Sequence, residues 1–286
     1  MPIHSPFDIQ ARPNRLFAQA LSCLLFVLCI GIYVQTSVKR HRENSEDRVV
    51  PNVHQLMAGI RASVLEPAEE DDYVVPDNAS NWELFRHSMI WKDTIASGKR
   101  FFISLLFLVP AVILALHIGL FPYFGASFLR FILFFDKIVA LSLLPILFVV
   151  FGIDEASKIA LIGIGVAPTM ILDVTQMVRA VPREQIVKAF TLDANNFDVA
   201  YRVVFRQILP QVINSLRLNL KPMMLFLFAG EMIAASDGLA YRIAIMRRHM
   251  GMDVILPYVL WVAFLLYLID LSLRVLNRRM HPWFQS

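Results

Sequence analysis

The sequence predicts an all-α, polytopic membrane helix bundle of about six transmembrane helices. Two observations carry that prediction. The first is composition: the 286 residues are 57% hydrophobic and 17% charged, with a mean hydropathy of +0.58. Soluble domains average roughly 45–50% apolar and about 25% charged residues. A chain of this makeup lacks the charge to cover a soluble surface. That excludes an ordinary soluble enzyme, a disordered chain and a disulfide-stapled secreted domain. The second observation is spacing. The apolar residues fall in long uncharged blocks separated by polar stretches. In lipid a backbone must satisfy its own hydrogen bonds, so each block reads as a helix.

The first block, Leu16 to Val34, is long enough to cross a bilayer. Arg12 and Arg15 precede it like a signal-peptide n-region. The apolar run is long for an h-region, and no small-x-small site follows before Lys39, so a retained helix is expected. Residues 39–100 are polar and carry the charged run HRENSEDR and an acidic cluster of Glu66, Glu69, Glu70, Asp71 and Asp72. That cluster lacks the turn-forming spacing of a calcium loop and reads as a solvated loop. Between Pro51 and Pro67, Val53, Met57, Ile60 and Val64 recur at helical spacing and predict a short amphipathic helix.

The second block starts at Phe101 and stays uncharged to Leu129; its span is placed at 101–120, ending in the turn FPYFG. The third runs Ile138 to Ile153 and the fourth Ile159 to Leu172. The link DEASK is so short that these two form an antiparallel hairpin. Residues 177–210 are polar, with Arg179, Arg183, Lys188, Arg202 and Arg206. The fifth and sixth blocks cover Val212 to Ala235 and Val254 to Val275, before a basic tail. The chain thus divides into 1–38, a cytoplasmic segment with the first helix; 39–100, a polar extracytoplasmic loop; and 101–286, the core. An even number of crossings puts both termini on the side of the 177–210 loop, whose arginines favour the cytoplasm. Arg247 and Arg248 run against that rule.

Most catalytic chemistry is absent. There is no G-x-x-x-x-G-K-[ST], no H-E-x-x-H and no C-x-x-C, so neither a nucleotide-binding P-loop nor a metal site is expected. Cys23 and Cys29 read as apolar filler. The net charge of +4 sits in loops between spans, without the aromatic interleaving of a nucleic-acid surface. His117 lies within the second block and reads as a neutral imidazole bonded to a backbone carbonyl. Asp270 and Arg274 suit an i,i+4 pair, and Asp136 and Lys137 an interfacial position. Glu231, in FLFAGEMIAASDGLAY, is the sharpest intramembrane charge. It supports two readings: a group near a translocation pathway, or a structural hydrogen bond to a neighbouring helix end. It stands nearly alone and no inverted repeat is visible, which disfavours an ion-coupled secondary transporter.

The loop PREQIVKAFTLDANNFDVAYRVVFRQILP is the most informative stretch. Pro182 suits a first helical turn and Glu184 its positive end. Ile186, Ala189 and Phe190 make an apolar stripe, Asp193 and Asn195–Asn196 a turn, and Phe197, Tyr201, Val204 and Phe205 a second amphipathic helix. A helix–turn–helix of this kind suits either docking on a soluble partner or lying on lipid.

This loop resembles the cytoplasmic EAA loop of ABC importer permeases. The frame falls on Val187, Lys188 and Ala189, then Asp193, Phe197 and Leu209–Pro210, with Val187 where the family has Glu, Asp193 in place of its Gly, and Arg206 in place of a first Pro. FGIDEASKIALIGIGVAPTMILD and AGEMIAASDGLAYRI are similar to the third-to-fourth hairpin and fifth helix of the nitrate/sulfonate/taurine-type permeases. NVHQLMAGI and WKDTIASGKRFFISL resemble the approach to their second helix, and MRRHMGMDVILPYV resembles a subgroup associated with urea or guanidine carboxylation.

The resemblance implies a type I (MetI-like) permease of a bacterial inner membrane. It would pair with a second permease copy, a cytoplasmic ATPase dimer holding ATP and Mg²⁺, and a periplasmic binding protein delivering a small polar solute. The chain itself would bind no cofactor. The implied ATPase-coupling residues are Val187, Lys188, Ala189, Asp193, Ala194, Asn195, Asn196, Phe197, Tyr201, Arg202, Arg206 and Pro210. A left-handed Asp193 in place of Gly is expected to cost about 1 kcal/mol. Met223, Met224, Phe226 and Glu231 are the candidates for lining the pathway.

Overall fold

The computed structural model describes residues 15–43, 49–65 and 81–284. The acidic cluster at Glu66 to Asp72 lies outside the described residues. The chain runs as α1 (Arg15–Glu43), α2 (Val53–Leu65), α3 (Asn81–Arg86), α4 (Met89–Leu120), α5 (Pro122–Asp136), a 3₁₀ turn (Ala140–Leu143), α6 (Leu144–Phe151) and α7 (Glu155–Arg179). It continues through α8 (Arg183–Thr191), one helical turn α9 (Asn196–Asp198), a π turn (Val199–Val204), α10 (Phe205–Ala234), α11 (Leu239–Arg248) and α12 (Met252–Met280). No strand occurs among the described residues.

Among the described residues, four helices are long and apolar enough to span a bilayer, and up to six spans result if each of two bent helix pairs counts as one. The expected number therefore holds, but the boundaries move. The second span begins at Met89 rather than Phe101; its 32 residues make a rod about 48 Å long. Ser88 caps it by accepting the Trp91 N–H. Pro110 sits within it without ending it. The expected FPYFG turn shrinks to a break at Phe121, because Pro122 at the first turn starts α5 at once. The expected third span, 138–153, is not one helix. α6 has eight residues, about 12 Å, too short to cross alone. With the 3₁₀ turn it pairs with α5 across a bend of 86°, and the two are apolar enough to make one span only when taken together. Pro145 starts α6, and Gly152 at φ 77° ends it, turning the chain back into α7 as the hairpin requires. The fourth and fifth spans are also longer than their apolar blocks, α7 reaching Arg179 and the helix of α10 beginning at Asn196.

The core is the packing of α4, α7 and α10. Ala115, Leu116 and Ile118 of α4 meet Met170, Val174 and Val178 of α7 and Ile208 and Val212 of α10. A second cluster joins Phe101 and Leu108 to Ile162, Val166, Met223 and Leu227. Between membrane helices, close packing of small residues does what apolar burial does in water. A Cβ on Gly119 would lie 2.5 Å from Val178 Cγ1, and one on Gly165 2.6 Å from Phe226 Cε2. The periphery is looser. α1 is exposed along nearly all its length; toward its end Tyr33 Oη donates to the Pro51 carbonyl at 2.8 Å and Ser37 Oγ to the Val50 carbonyl at 3.2 Å.

Candidate functional site

At one end of the bundle, the 177–210 region folds as helix, turn, helix. α8 ends in a Schellman motif: the Ala194 N–H reaches the Ala189 carbonyl at 3.2 Å and the Asp193 N–H the Phe190 carbonyl at 3.1 Å. The motif needs a left-handed residue, and Asp193 supplies it at φ 62°. Asn195 then opens the next helix, its Oδ1 accepting the Asp198 N–H at 2.9 Å. From Asn196 the chain is helical without a break into the membrane, through a π turn where the Phe205 N–H bonds back to Ala200. Pro210, expected to end the loop, lies inside that helix; it is buried and its carbonyl accepts from Asn277 Nδ2 at 3.0 Å.

The two faces of this hairpin differ. Ala189, Val199, Ala200 and Val204 are buried against the ends of α4 and α7, with Ile186 and Ala194 half-buried beside them. Val187, Phe190, Leu192 and Phe197 point outward, Phe197 at 63% exposure and Leu192 at 76%. Around them stand exposed Lys188, Asp193, Asn195, Asn196, Tyr201, Arg202 and Arg206, with Arg202 Nε 3.2 Å from Asp198 Oδ1. Phe197 packs on Phe121 with ring centres 6.2 Å apart. His117 joins the same aromatic group; its Nδ1 is 2.7 Å from the Ile113 carbonyl and its Nε2 3.5 Å from Tyr201 Oη, so the carbonyl-bonded reading of His117 holds.

The opposite end carries a polar network that the sequence did not disclose. Arg100 of α4 binds the carboxylates of Glu155, Glu231 and Asp237; its Nη1 donates to Glu231 Oε1 at 2.8 Å. Glu231 is fully buried. It also accepts from Ser97 Oγ at 2.7 Å and from the Ala240 N–H at 3.1 Å, in the first turn of α11. Buried Asp93 accepts from the Gly238 N–H, Arg242 Nε and Tyr258 Oη at 3.0–3.1 Å. Gly238 has φ 120°, and a Cβ there would lie 2.7 Å from Glu231 Cδ. Asp93, Ser97 and Arg100 share one face of α4 at i, i+4, i+7 spacing. Reading that stretch as loop concealed it, and Glu231 is not alone: its partner lies 131 positions earlier. Above the network a mixed-charge cleft of about 590 Å³ is lined by Lys92, Lys99, Glu155, Asp237 and Arg242.

Of the other pathway candidates, Met223 is buried in the second core cluster, whereas Met224 and Phe226 are half-buried. Asp270 bonds Arg274 at 2.8 Å as expected and also Arg217 of α10 at 2.8 Å. Asp136, at the end of α5, bonds Lys137 and Thr169.

Residues 94–284 match the family model described as binding-protein-dependent transport system inner membrane component. The chain is 29% identical over 203 residues to the taurine transport system permease protein TauC of Escherichia coli, covering 70% of this chain and 73% of the relative. It is 27% identical over 143 residues to the putative aliphatic sulfonates transport permease protein SsuC of the same organism, covering 50% of this chain and 54% of that one. Its fold is similar to an inward-facing structure of the MetNI methionine ABC transporter, with a TM-score of 0.55, 18% identity, and 67% of this chain and 94% of that chain covered. The chain belongs to the binding-protein-dependent transport inner-membrane component family, and is a multi-pass helical permease component.

Proposed function

We propose that this permease is half of the membrane pathway of an ATP-driven importer for a small polar solute of the sulfonate or taurine class. The outward apolar and basic face of the 187–206 hairpin carries the reading. It is a ready docking surface, held by a buried inner face, and it carries exposed Lys188, Arg202 and Arg206. In this reading that end is cytoplasmic, and so are both termini. A separate ATPase subunit grips Phe197, Val187 and Phe190, with Arg202 and Arg206 as polar contacts at the rim. ATP and Mg²⁺ belong to that subunit; this chain does no chemistry. A second copy of the permease completes the pathway; half-buried Met224 and Phe226 remain the candidates to line it, whereas Met223 and Glu231 are buried within the protomer. A binding protein delivers solute at the Arg100 end. The urea or guanidine subgroup is the competing solute class, and uptake by vesicles loaded with the purified complex separates the two.

The decisive experiment is co-purification from detergent-solubilised membranes, wild type against Phe197→Asp, with ATP hydrolysis assayed. Wild type is expected to bring down a P-loop ATPase and the variant to lose it while eluting as a folded protein. A folded wild type with no ATPase partner would overturn the reading in favour of ion-coupled transport.

A further inference from the structure

Helix α2 forms where Val53, Met57, Ile60 and Val64 predict an amphipathic helix, but most of that apolar stripe does not pack on the bundle. Only Val64 turns inward, packing near Ile90 and Tyr258, while Val53, Met57 and Ile60 are exposed at 63%, 65% and 41%. What α2 presents to the bundle is its small face. Gly59 lies against the backbone of Asp253, where a Cβ would come within 2.2 Å of the carbonyl oxygen, and buried Ser63 bonds back to the Gly59 carbonyl at 2.8 Å. His54 and Arg61 lie beside the apolar stripe, also exposed.

The depth of α2 is marked at two points. Its entry, Pro51, accepts from Tyr33, which stands at the end of the apolar block Leu16 to Val34 of α1. His41 touches the same first turn through Gln55, whose Oε1 also caps the Asn52 N–H at 2.9 Å. Its middle, Gly59, meets Asp253, which stands immediately before the uncharged run of α12. A helix of 13 residues is about 20 Å long. Standing along the membrane normal, it could not meet the apolar–polar boundary at both its entry and its middle. Lying in the boundary plane, it can. The surfaces on either side of it are apolar and open: Ile32 and Val34 on α1 and Val259 and Leu260 on α12 are all exposed.

We propose that α2 lies in the membrane interface of the leaflet opposite the docking hairpin, with Val53, Met57 and Ile60 among the acyl chains and His54 and Arg61 at headgroup level. Its occupant is the bilayer itself, continuous with the lipid that surrounds α1 and α12. Such helices sit with the apolar face a few ångströms below the headgroups and basic residues at the edge. Exposed Trp82 of α3, tilted against Phe85 with ring centres 5.9 Å apart, adds the aromatic residue typical of that depth. The helix would anchor the outer end of the bundle against tilting while the inner end moves.

The test places a nitroxide on Met57→Cys, Ile60→Cys or Arg61→Cys, each in a Cys23→Ala/Cys29→Ala chain reconstituted into phosphatidylethanolamine–phosphatidylglycerol vesicles. Power saturation compares collision with oxygen, which partitions into lipid, and with a water-soluble nickel chelate. The proposal expects the oxygen-to-nickel ratio at positions 57 and 60 to exceed that at 61 several-fold. Equal, nickel-dominated access at all three sites would overturn it by placing α2 in open water. Low access to both reagents at 57 and 60, with spin–spin broadening, would overturn it in favour of a second copy of the chain as the occupant.

Discussion

The two ends of the bundle solve opposite problems. At the Arg100 end the polar groups are turned inward and spent on one another. Arg100 gathers three carboxylates, Ser97 and the start of α11 satisfy Glu231, and Gly238 makes room for the whole arrangement. At the hairpin end the inner face is closed by Ala189, Val199, Ala200 and Val204, yet large apolar side chains are left outside. The lesson is that burial and readiness for a partner can be read from which groups remain unsatisfied. Among the described residues, the first end leaves no buried side-chain polar atom without a hydrogen-bond partner. The second has apolar surface whose contact with water costs free energy until something covers it.

Breaking the closed end should have the largest effect on stability. Arg100→Ala leaves Glu231 buried without its cation, and loss of one partner of a buried pair costs about 3–5 kcal/mol. Denaturant unfolding in detergent should show that loss, with Arg100→Lys only partly restoring it, because a single ammonium cannot fork across several carboxylates. A change below about 1 kcal/mol would mean that this end is hydrated and loosely held. Next in size is Gly238→Ala. Its φ of 120° and the approach to Glu231 predict a destabilisation of about 1–3 kcal/mol, read by the same unfolding measurement.

The open end should respond differently. Asp193→Gly relieves a left-handed non-glycine residue and is expected to stabilise by about 0.5–1 kcal/mol, with ATPase coupling intact. Lost coupling in that variant would show that the carboxylate itself contacts the partner. The smallest effect on stability belongs to Phe197→Asp, within about 0.5 kcal/mol because the ring is largely exposed, although partner capture is lost. A variant that unfolds instead would show that the contact with Phe121 holds the hairpin together, and would erase the contrast between the two ends.

Hydropathy made the number of spans legible, and turn chemistry made the turn at 193–196 legible, while the left-handed Asp193 was implied by the resemblance, through the Gly that it replaces. Both are local: a span needs only a run of apolar residues, and a Schellman turn only a few neighbours. Other expectations failed where locality fails. The third span was misplaced because its uncharged residues are shared between α5 and α6, and a bend of 86° leaves no mark on hydropathy. The helical start of α4 was read as loop because Asp93, Ser97 and Arg100 are polar, although they face inward to partners on other helices.

The sequence by itself determined that the chain lives in a membrane, that it is helical, and where it turns at 193–196. Those properties follow from side-chain solubility and backbone sterics, which act over a few residues. Only the tertiary structure decided that Glu231 meets Arg100, that Phe197 faces outward while Ala200 does not, and that the apolar stripe of α2 turns away from the protein. A polar group in a span must find its partner somewhere, but the partner is chosen by helix packing, and packing brings together residues that the chain keeps far apart.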